Sequence, residues 1–307
     1  MSARIFVSTW HEQGPAACAR KLSAATRMTV SVKLRGRRTA KGVGAYFDLI
    51  TDEGRRFYGD SFHFGYFHTG SETLAQALDA HTDLVAEMAR PTSGQHILDV
   101  GCGLGVPAVR IAERYGCEIT GVNISGEQIR QGRAFIEQQR MSDRVRIVRG
   151  DARALDFPDN SFDAVVCLEA AGDICLSEED KERFAAELHR VLRPKGRLGF
   201  SDLALHTSPS PAEDDTLRAV LYHRGQELVT DWPAIFLRRG FKLVDARDII
   251  AETMPTWQRT EAVYEERSVE VAQRYGRRIA ARTRAHVQRI PAILARCAMF
   301  PVLSALK

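Results

Sequence analysis

Three glycines at alternate positions follow a short apolar segment that contains an acid. Gly101, Gly103 and Gly105 come directly after Ile97-Leu98-Asp99-Val100, a run typical of a strand buried on both faces. Glycines let the backbone turn sharply and approach a ligand, and the helix predicted from Val106 directs its N-terminal amides at that ligand. The spacing is G-x-G-x-G rather than the G-x-G-x-x-G of dinucleotide sites. The segment therefore predicts a nucleotide-like ligand other than a dinucleotide.

Polar residues also mark the ends of the strands that follow. Asn123 ends the predicted second strand, Asp151 follows the third, and Glu169 closes the fourth. Ligands of doubly wound sheets bind at the carboxyl ends of the strands, so these side chains are expected to surround one nucleoside. Asn123 or a neighbour suits the ribose hydroxyls, and Asp151 suits the adenine amino group. Each of them is alternatively a helix cap or a turn residue.

Strands and helices alternate along the middle of the chain, which predicts a parallel sheet with helices on both faces. Beyond the fifth strand the alternation breaks, and two segments are mostly helical, 206–229 and 251–297. We interpret them as lids over a substrate, with subunit contact as the alternative. The predicted strands span 97–100, 118–122, 145–149, 162–168, 197–202, 241–249 and 298–307.

Aromatic and imidazole side chains crowd into a short stretch just before the first strand. Such a cluster is often plain core, but Gly59, Gly65 and Gly70 make the stretch more loop-like than helical. Aromatic side chains on a glycine-punctuated loop would form a wall for an organic substrate. The members are Tyr46, Phe47, Phe57, Tyr58, Phe62, His63, Phe64, Tyr66 and Phe67.

Composition excludes several classes of protein. The net charge of +4 over 307 residues is too small to indicate a nucleic-acid partner. The six cysteines lack ligand or C-x-x-C spacing, so no metal site and no disulfide framework are expected. The absence of an 18-residue apolar run argues against a membrane span, and a cytoplasmic location is expected. Residues 1–43 read as a partly ordered extension or as an arm that contacts another subunit in a homo-oligomer.

Several motifs together resemble the class I S-adenosylmethionine-dependent methyltransferases, in particular the group that contains sterol, tocopherol and natural-product sugar or macrolide methyltransferases. The resemblance covers about residues 44–203 and implies S-adenosylmethionine as cofactor and a small-molecule methyl acceptor. The matching motifs are Tyr46-Phe47-Asp48, Phe62-His63-Phe64-Gly65-Tyr66-Phe67, Ile97-Leu98-Asp99-Val100-Gly101-Cys102-Gly103-Leu104-Gly105, Gly121-Val122-Asn123-Ile124-Ser125, Gly150-Asp151-Ala152, Phe157-Pro158-Asp159-Asn160-Ser161-Phe162-Asp163, Leu168-Glu169-Ala170 and Val191-Leu192-Arg193-Pro194-Lys195-Gly196.

The resemblance also implies a set of site residues and a division of the chain. Cofactor contacts are expected from Tyr46, Asp99, Gly101, Cys102, Gly103, Gly105, Asn123, Ile124, Gln128, Asp151, Ala152 and Leu168, and substrate contacts from Tyr58, Phe62, Phe64, Tyr66 and Trp257. The expected fold is a Rossmann-like seven-stranded, mostly parallel sheet with an N-terminal aromatic cap and helical lid insertions. The expected divisions are an extension (1–43), the aromatic cap and its helix (44–90), the cofactor-binding core (91–205), a lid segment (206–229), a continuation of the core (230–250), a helical lid (251–297) and the last core strand (298–307).

One departure from the family pattern bears on the reaction. The sugar and macrolide O-methyltransferases of the group tend to carry a histidine shortly after the strand-four glutamate, whereas this chain reads Glu169-Ala170-Ala171-Gly172-Asp173-Ile174. A hydroxyl acceptor needs a base, but an alkene acceptor first forms a cation that aromatic faces stabilise. We therefore favour C-methylation of a prenyl or terpenoid-type alkene, with Glu169 taking the proton. His63 is an alternative base, but the interpretation we prefer for it is that it orients the methionine end of the cofactor or packs there.

The sequence is compatible with three alternative interpretations. O- or N-methylation of a natural product is the first, and a protein that binds the cofactor without transferring methyl is the second. In the third, Glu169 bonds the cofactor or the local backbone and is not the proton acceptor.

Overall fold

The computed structural model describes residues 39–221 and 228–307. Predicted features within residues 1–38, including most of the possible subunit arm, lie outside the described residues. The described helices are α1 (Ala40–Tyr58), α2 (Leu74–Ala89), α3 (Val106–Tyr115), α4 (Gly126–Gln138), α5 (Ala171–Ile174), α6 (Glu178–Val191), α7 (Pro211–Val220), α8 (Trp232–Arg238), α9 (Ile250–Thr253), α10 (Pro255–Glu266), α11 (Ser268–Tyr275) and α12 (Arg277–Cys297). The strands are β1 (His96–Val100), β2 (Glu118–Asn123), β3 (Val145–Arg149), β4 (Phe162–Leu168), β5 (Leu192–Ser201), β6 (Ala204–Leu205), β7 (Lys242–Asp248), β8 (Ala298–Met299) and β9 (Pro301–Leu306).

A seven-stranded sheet forms the centre of the described chain, in the order β3-β2-β1-β4-β5-β9-β7. The strands from β3 to β5 pair in parallel, while β9 pairs antiparallel with both β5 and β7. Pro301 fits inside the sheet because it is the first residue of β9, where a missing amide disrupts little of the ladder. This arrangement confirms the predicted mostly parallel, Rossmann-like sheet. β6 and β8 form a separate two-stranded sheet.

Helices cover both faces of the sheet, and each face has its own apolar core. On one face, α3 and α4 place Ile111 and Ile136 against Ile97 and Ile147 of the strands. On the other face, α6 and α8 place Leu188 and Phe236 among the buried strand residues. Serine N-caps define where the helices begin: Ser125 before α4 and Ser177 before α6 each accept a backbone amide hydrogen bond. Burial on two faces explains why the strand sequences are continuously apolar.

The beginning of the aromatic block differs from the sequence interpretation. Residues 40–58 form α1, so a stretch interpreted as loop-like is helical, and the predicted boundary at 43/44 falls within a helix. Gly44 and Gly54 lie inside this helix, where contact with the rest of the fold outweighs their weak helix propensity: a Cβ on Gly44 would lie 3.0 Å from the Ile124 carbonyl oxygen. The segment 61–73 that follows is not helical, as predicted.

The C-terminal helices α10, α11 and α12 pack on one another. Of these helices, α10 and α11 contact α1, and α12 packs on α7. A third apolar cluster lies beneath them and includes Trp257, Leu294 and Phe300. Within the described ranges, no helix has an apolar stretch long enough to cross a bilayer.

Candidate functional site

A cleft of about 990 Å³, partly open to solvent, lies at the carboxyl ends of β1 to β4. It contains all four polar strand-end residues to which the sequence pointed, Asp99, Asn123, Asp151 and Glu169. The described residues that line it are Val43, Phe47, Asp60, Ser61, Phe62, His63, Asp99, Gly101, Cys102, Gly103, Leu104, Pro107, Val122, Asn123, Ile124, Gln128, Gly150, Asp151, Ala152, Arg153, Leu168, Glu169, Ala170, Asp173 and Ile174.

The glycine turn between β1 and α3 forms the floor of the cleft. Gly101 has φ +75°, and a Cβ on it would lie 2.2 Å from the Cβ of Ala170. Gly103 has φ +54°, and a Cβ there would meet no described atom within 4 Å. Gly101 is therefore required by protein packing, whereas the backbone at Gly103 is left open toward the cleft. Gly105 caps α3 and does not line the cleft.

Asp99, beside this turn, has a buried carboxylate with one oxygen that has no partner among the described residues. The residue is 3% exposed, and no described group hydrogen-bonds its Oδ2. Burial raises the pKa of the carboxyl to about 7 from its ordinary value of 3.8. An unpaired buried carboxylate costs free energy unless a cation or donor compensates it. Asp99 thus suits a ligand that carries an ammonium group.

The side-chain amide of Asn123, at the end of β2, forms its hydrogen bonds within the protein. Its Nδ2 donates to the carbonyl of Gly103 at 3.0 Å and to Gln128 Oε1 at 2.8 Å, while its Oδ1 accepts the Ser125 amide at 3.0 Å. The amide side chain therefore fixes the glycine turn to the start of α4. Gln128, oriented by this contact, lines the cleft with its own amide nitrogen as the remaining donor. The sequence expectation allowed for a neighbour of Asn123 at the ribose, and the geometry favours Gln128.

Asp151 carries an ion pair that the sequence did not reveal. Arg153 donates to both of its carboxylate oxygens, at 3.0 and 2.9 Å, and also lies 3.0 Å from Asp180 at the start of α6. Burial raises the pKa of Asp151, but the hydrogen bonds and charge of Arg153 outweigh it, so the pKa lies below its usual value. The loop after β3 is thereby locked with Asp151 ionised, and Ala152 beside it lines the cleft.

Glu169, at the end of β4, bonds to the segment that follows α1. Its Oε1 accepts the backbone amide of Phe64 at 2.7 Å and lies 3.3 Å from Nδ1 of His81, and the side chain is 8% exposed. The backbone of Glu169 has φ +51°, a conformation that non-glycine residues rarely adopt. Burial raises the pKa of this carboxyl well above its usual range, and the Phe64 amide opposes that shift. The sequence left open whether Glu169 bonds the local backbone, and the structure contains such a bond, to the amide of Phe64.

His63 lies across the cleft edge from Glu169 as a neutral imidazole. Its Nδ1 is 2.9 Å from the Phe64 carbonyl, which fixes the proton on Nδ1, and its Nε2 lies 3.5 Å from the hydroxyl of Thr82. Burial and the neighbouring His81 lower the pKa of His63 to about 3. A group with such a low pKa is a weak base at neutral pH.

The residues predicted for the substrate wall divide into two sets. Phe62 lines the cleft, whereas Phe64, Tyr66 and Trp257 do not; they pack in the third apolar cluster, where Phe64 contacts Trp257 and Phe300 edge to face. Tyr46 packs with Val43 and Leu176. The side chain of Tyr58 lies outside the described residues. None of the described lining residues comes from 251–297, so the lid interpretation of that segment stays a prediction.

Other lining residues were missed from the sequence. Val43 and Phe47 reach the cleft from α1, and Asp173 and Ile174 reach it from the short helix α5. The Tyr46-Phe47-Asp48 motif was a signal for the first pair, but α1 was not predicted as a helix. Nothing in the local sequence singled out Asp173 beyond its place after Glu169.

Comparison with known proteins agrees with this geometry. A family described as "Methyltransferase domain" matches residues 97–196. The 27-O-demethylrifamycin SV methyltransferase of Amycolatopsis mediterranei is 32% identical over 74% of this chain and 83% of its own length. A sterol 24-C-methyltransferase of Eremothecium gossypii is 38% identical over 50% of this chain but only 39% of its own length. The solved structure of the [4+2]-cyclase SpnF aligns with a TM-score of 0.74 and 28% identity over 88% of this chain and 97% of its own.

The chain therefore belongs to the S-adenosylmethionine-dependent methyltransferases, and its cofactor is S-adenosylmethionine. The geometry of the cleft, independently of these comparisons, also suits that cofactor. Asp99 has a buried, unpaired carboxylate oxygen that suits an ammonium group, the backbone at Gly103 is open to close approach, and Gln128 lines the cleft with an amide that suits a hydroxyl.

Proposed function

We propose that this methyltransferase acts on a bulky, largely apolar small molecule, and that it methylates an alkene carbon with Glu169 as the proton acceptor. The observation that carries the proposal is the position of Glu169: a buried carboxyl in a cleft that Phe47 and Phe62 also line, without a histidine directly after β4. Sterol 24-C-methyltransferases among the relatives support carbon as the acceptor atom.

In this proposal, one part of the cleft lining contacts the cofactor and the other part contacts the acceptor. Asp99 holds the ammonium group, Gln128 contacts the ribose, and Asp151 with Ala152 faces the adenine, while Cys102, Ile124 and Leu168 provide apolar contact. The acceptor would occupy the remaining side, near Phe62 and Ile174. Arg153 is the one basic side chain among the described lining residues apart from histidine, and it is already paired with Asp151 and Asp180. This lining favours an acceptor without phosphate groups.

When bound, S-adenosylmethionine supplies an electrophilic methyl group on a positively charged sulfur. An alkene acceptor would use its π electron pair to form the new C–CH3 bond while the S–CH3 bond breaks and its electron pair stays on sulfur. The positive charge would then reside on the neighbouring carbon of the acceptor. The rings of Phe47 and Phe62 stabilise this cation. The carboxylate of Glu169 then takes a proton from the adjacent carbon, and the C–H electron pair forms a new double bond. Burial alone disfavours the ionised form of Glu169. The positive charge of the bound sulfonium, and then of the carbocation, favours that form.

O-Methylation is the second candidate, because the rifamycin relative is named as an O-demethylrifamycin methyltransferase. A hydroxyl acceptor needs a base of near-neutral pKa. The low pKa of His63, about 3, makes this histidine poorly suited to that task. The low pKa therefore argues against His63 as the base of an O-methylation.

Methyl-labelled S-adenosylmethionine with a panel of neutral terpenoid alkenes and hydroxylated macrolides tests the proposal. NMR locates the labelled methyl on carbon or oxygen. With an alkene acceptor, we expect Glu169→Gln to lower kcat by roughly 100-fold or more while leaving cofactor affinity unchanged, because glutamine still accepts the Phe64 amide. Asp60→Asn, a lining carboxylate paired with Arg55, is the matched control and should keep near-normal turnover. Transfer to oxygen only, or full turnover by Glu169→Gln, would refute the assignment, and cofactor binding without transfer to any acceptor would support a non-catalytic role.

A further inference from the structure

We propose that His81, a residue to which no sequence motif pointed, is a positioning residue that fixes Glu169 through the backbone of Phe64. This inference rests on the proposed role of Glu169. His81 lies on α2, 17 residues from Phe64 and far from Glu169 in sequence, and its side chain is completely buried.

The Phe64 residue connects these side chains through both of its backbone polar groups. Its carbonyl accepts from Nδ1 of His81 at 2.8 Å and from Nδ1 of His63 at 2.9 Å, and its amide donates to Glu169 Oε1 at 2.7 Å. His81 Nδ1 is also 3.3 Å from the same carboxylate oxygen. The backbone that orients Glu169 is thus itself held by the imidazole of His81.

The charge state of His81 suits this role. Burial lowers its pKa to about 4, so the ring is neutral at physiological pH, with its proton on Nδ1 toward the Phe64 carbonyl. The titratable groups that face it are His63, at a ring-centroid distance of 5.7 Å, and Glu169, while the ring of Phe300 packs on its edge. A neutral donor holds the backbone without adding a cation that would neutralise the carboxylate.

The arrangement carries a stability cost that simple packing would avoid. Nε2 of His81 is buried and has no hydrogen-bond partner in the described part of the chain, and Glu169 is held at a positive φ. An apolar side chain of similar size would fill the space without leaving a buried polar atom unpaired. Strained and unsatisfied groups of this kind concentrate at functional sites.

Paired substitutions separate positioning from packing. His81→Phe keeps the volume and removes the donor, whereas His81→Asn retains a donor in a position similar to Nδ1. We expect His81→Phe to lower kcat by roughly 10- to 100-fold with little change in the KM for S-adenosylmethionine, because small displacements of a reacting group have large kinetic effects. The acidic limb of the kcat profile should move to higher pH by about one unit, since the Phe64 amide that stabilises the charge of Glu169 is held less firmly without His81. His81→Asn should restore most of the lost kcat and return the acidic limb of the pH profile close to its wild-type position.

A double-mutant cycle with Glu169→Gln separates this inference from the proposed function. If His81 acts through Glu169, His81→Phe adds little further loss to the Glu169→Gln variant. Normal turnover by Glu169→Gln would overturn the proposed function, whereas fully additive losses would overturn only the role of His81. Val85→Ala, one turn further along α2 and equally buried, is the packing control and should reduce stability without shifting the pH profile.

The three side chains His63, His81 and Glu169 also have a composition that metal ions bind, which the same protein samples can test. Elemental analysis of the purified enzyme should show no stoichiometric zinc. One equivalent of zinc that is lost in His81→Phe would overturn the proposal, because His81 would then be a metal ligand.

Discussion

Asp48 on α1 accepts a hydrogen bond from the hydroxyl of Ser125 at 2.7 Å and from the amide of Glu127 at 2.8 Å. Both donors lie at the N-terminal end of α4, next to Asn123 and Gln128. α1 is therefore anchored on α4, the helix that carries the cleft residue Gln128, and its own Val43 and Phe47 line that cleft. The N-terminal cap and the core form one site through this buried carboxylate.

Asp48→Ala should weaken S-adenosylmethionine binding by roughly tenfold or more, because a buried carboxylate that accepts two hydrogen bonds contributes about 2–3 kcal/mol to holding its partners. Calorimetric titration measures the change. Asp52→Ala is the matched control: Asp52 lies one turn along α1 and also contacts α4, through Gln131 at 2.7 Å, but it is exposed. Equal losses of affinity in the two variants would contradict a specific role for Asp48.

Asp99 should couple cofactor binding to pH. Its pKa of about 7 in the folded protein exceeds the ordinary 3.8, so between these values the folded state binds more protons than the unfolded state. The free energy of unfolding of the ligand-free protein therefore falls as the pH rises from 4 to 7, by an amount on the order of 4 kcal/mol from this group. Asp99→Asn should raise Tm at pH 8, with little effect near pH 4.

The same substitution should remove most of the cofactor affinity, because the amide cannot compensate an ammonium charge. In the wild-type protein, affinity should decline as the pH falls below about 7, where Asp99 becomes protonated. Titrations across this range measure both effects. An Asp99→Asn variant that is no more stable than wild type at pH 8 would show that the carboxylate is compensated in the ligand-free protein.

Gly101 and Gly103 have similar positive φ values but different surroundings. Gly101→Ala should destabilise the ligand-free protein by about 3 kcal/mol, from overpacking against Ala170 together with backbone strain. Gly103→Ala should cost only about 1 kcal/mol, because it meets no described atom and suffers the strain alone. Urea unfolding of the two variants measures the difference. Equal losses would mean that the clash at Gly101 is relieved by movement of Ala170.

Glu53 on α1 pairs with Arg274 on α11 at 2.6 and 2.9 Å and also accepts the hydroxyl of Tyr275. Glu53→Ala should destabilise the protein by about 2 kcal/mol, since it leaves the buried hydroxyl of Tyr275 and a half-buried guanidinium without their partner. Glu53→Leu with Arg274→Leu should recover much of the loss. Thermal unfolding of the single and double variants gives the coupling energy, and additive losses would exclude a direct interaction.

The limits of sequence interpretation are clear at α1 and β9. The pattern in the core predicted β3 and β4 to the residue because buried strands between capped helices have a strong local signal. Glycines at 44 and 54 concealed α1, since that helix is stabilised by contact with α4 and the loop around Phe62 rather than by its own propensity. β9 was recognised as a strand, but its antiparallel insertion between β5 and β7 depends on pairing across more than 50 residues.

The order of residues along the chain determined the cofactor class. The glycine turn, Asp99 and the polar strand ends are local features, and parallel strands necessarily bring their carboxyl ends to one edge. Tertiary packing alone decided how those polar groups are used. Asn123 and Asp151 are engaged by protein partners, Asp99 keeps an unpaired oxygen, and Glu169 meets the Phe64 backbone that His81 holds. These contacts join residues up to 105 positions apart, and only the packing of α2 and the 61–73 segment against β4 sets their geometry.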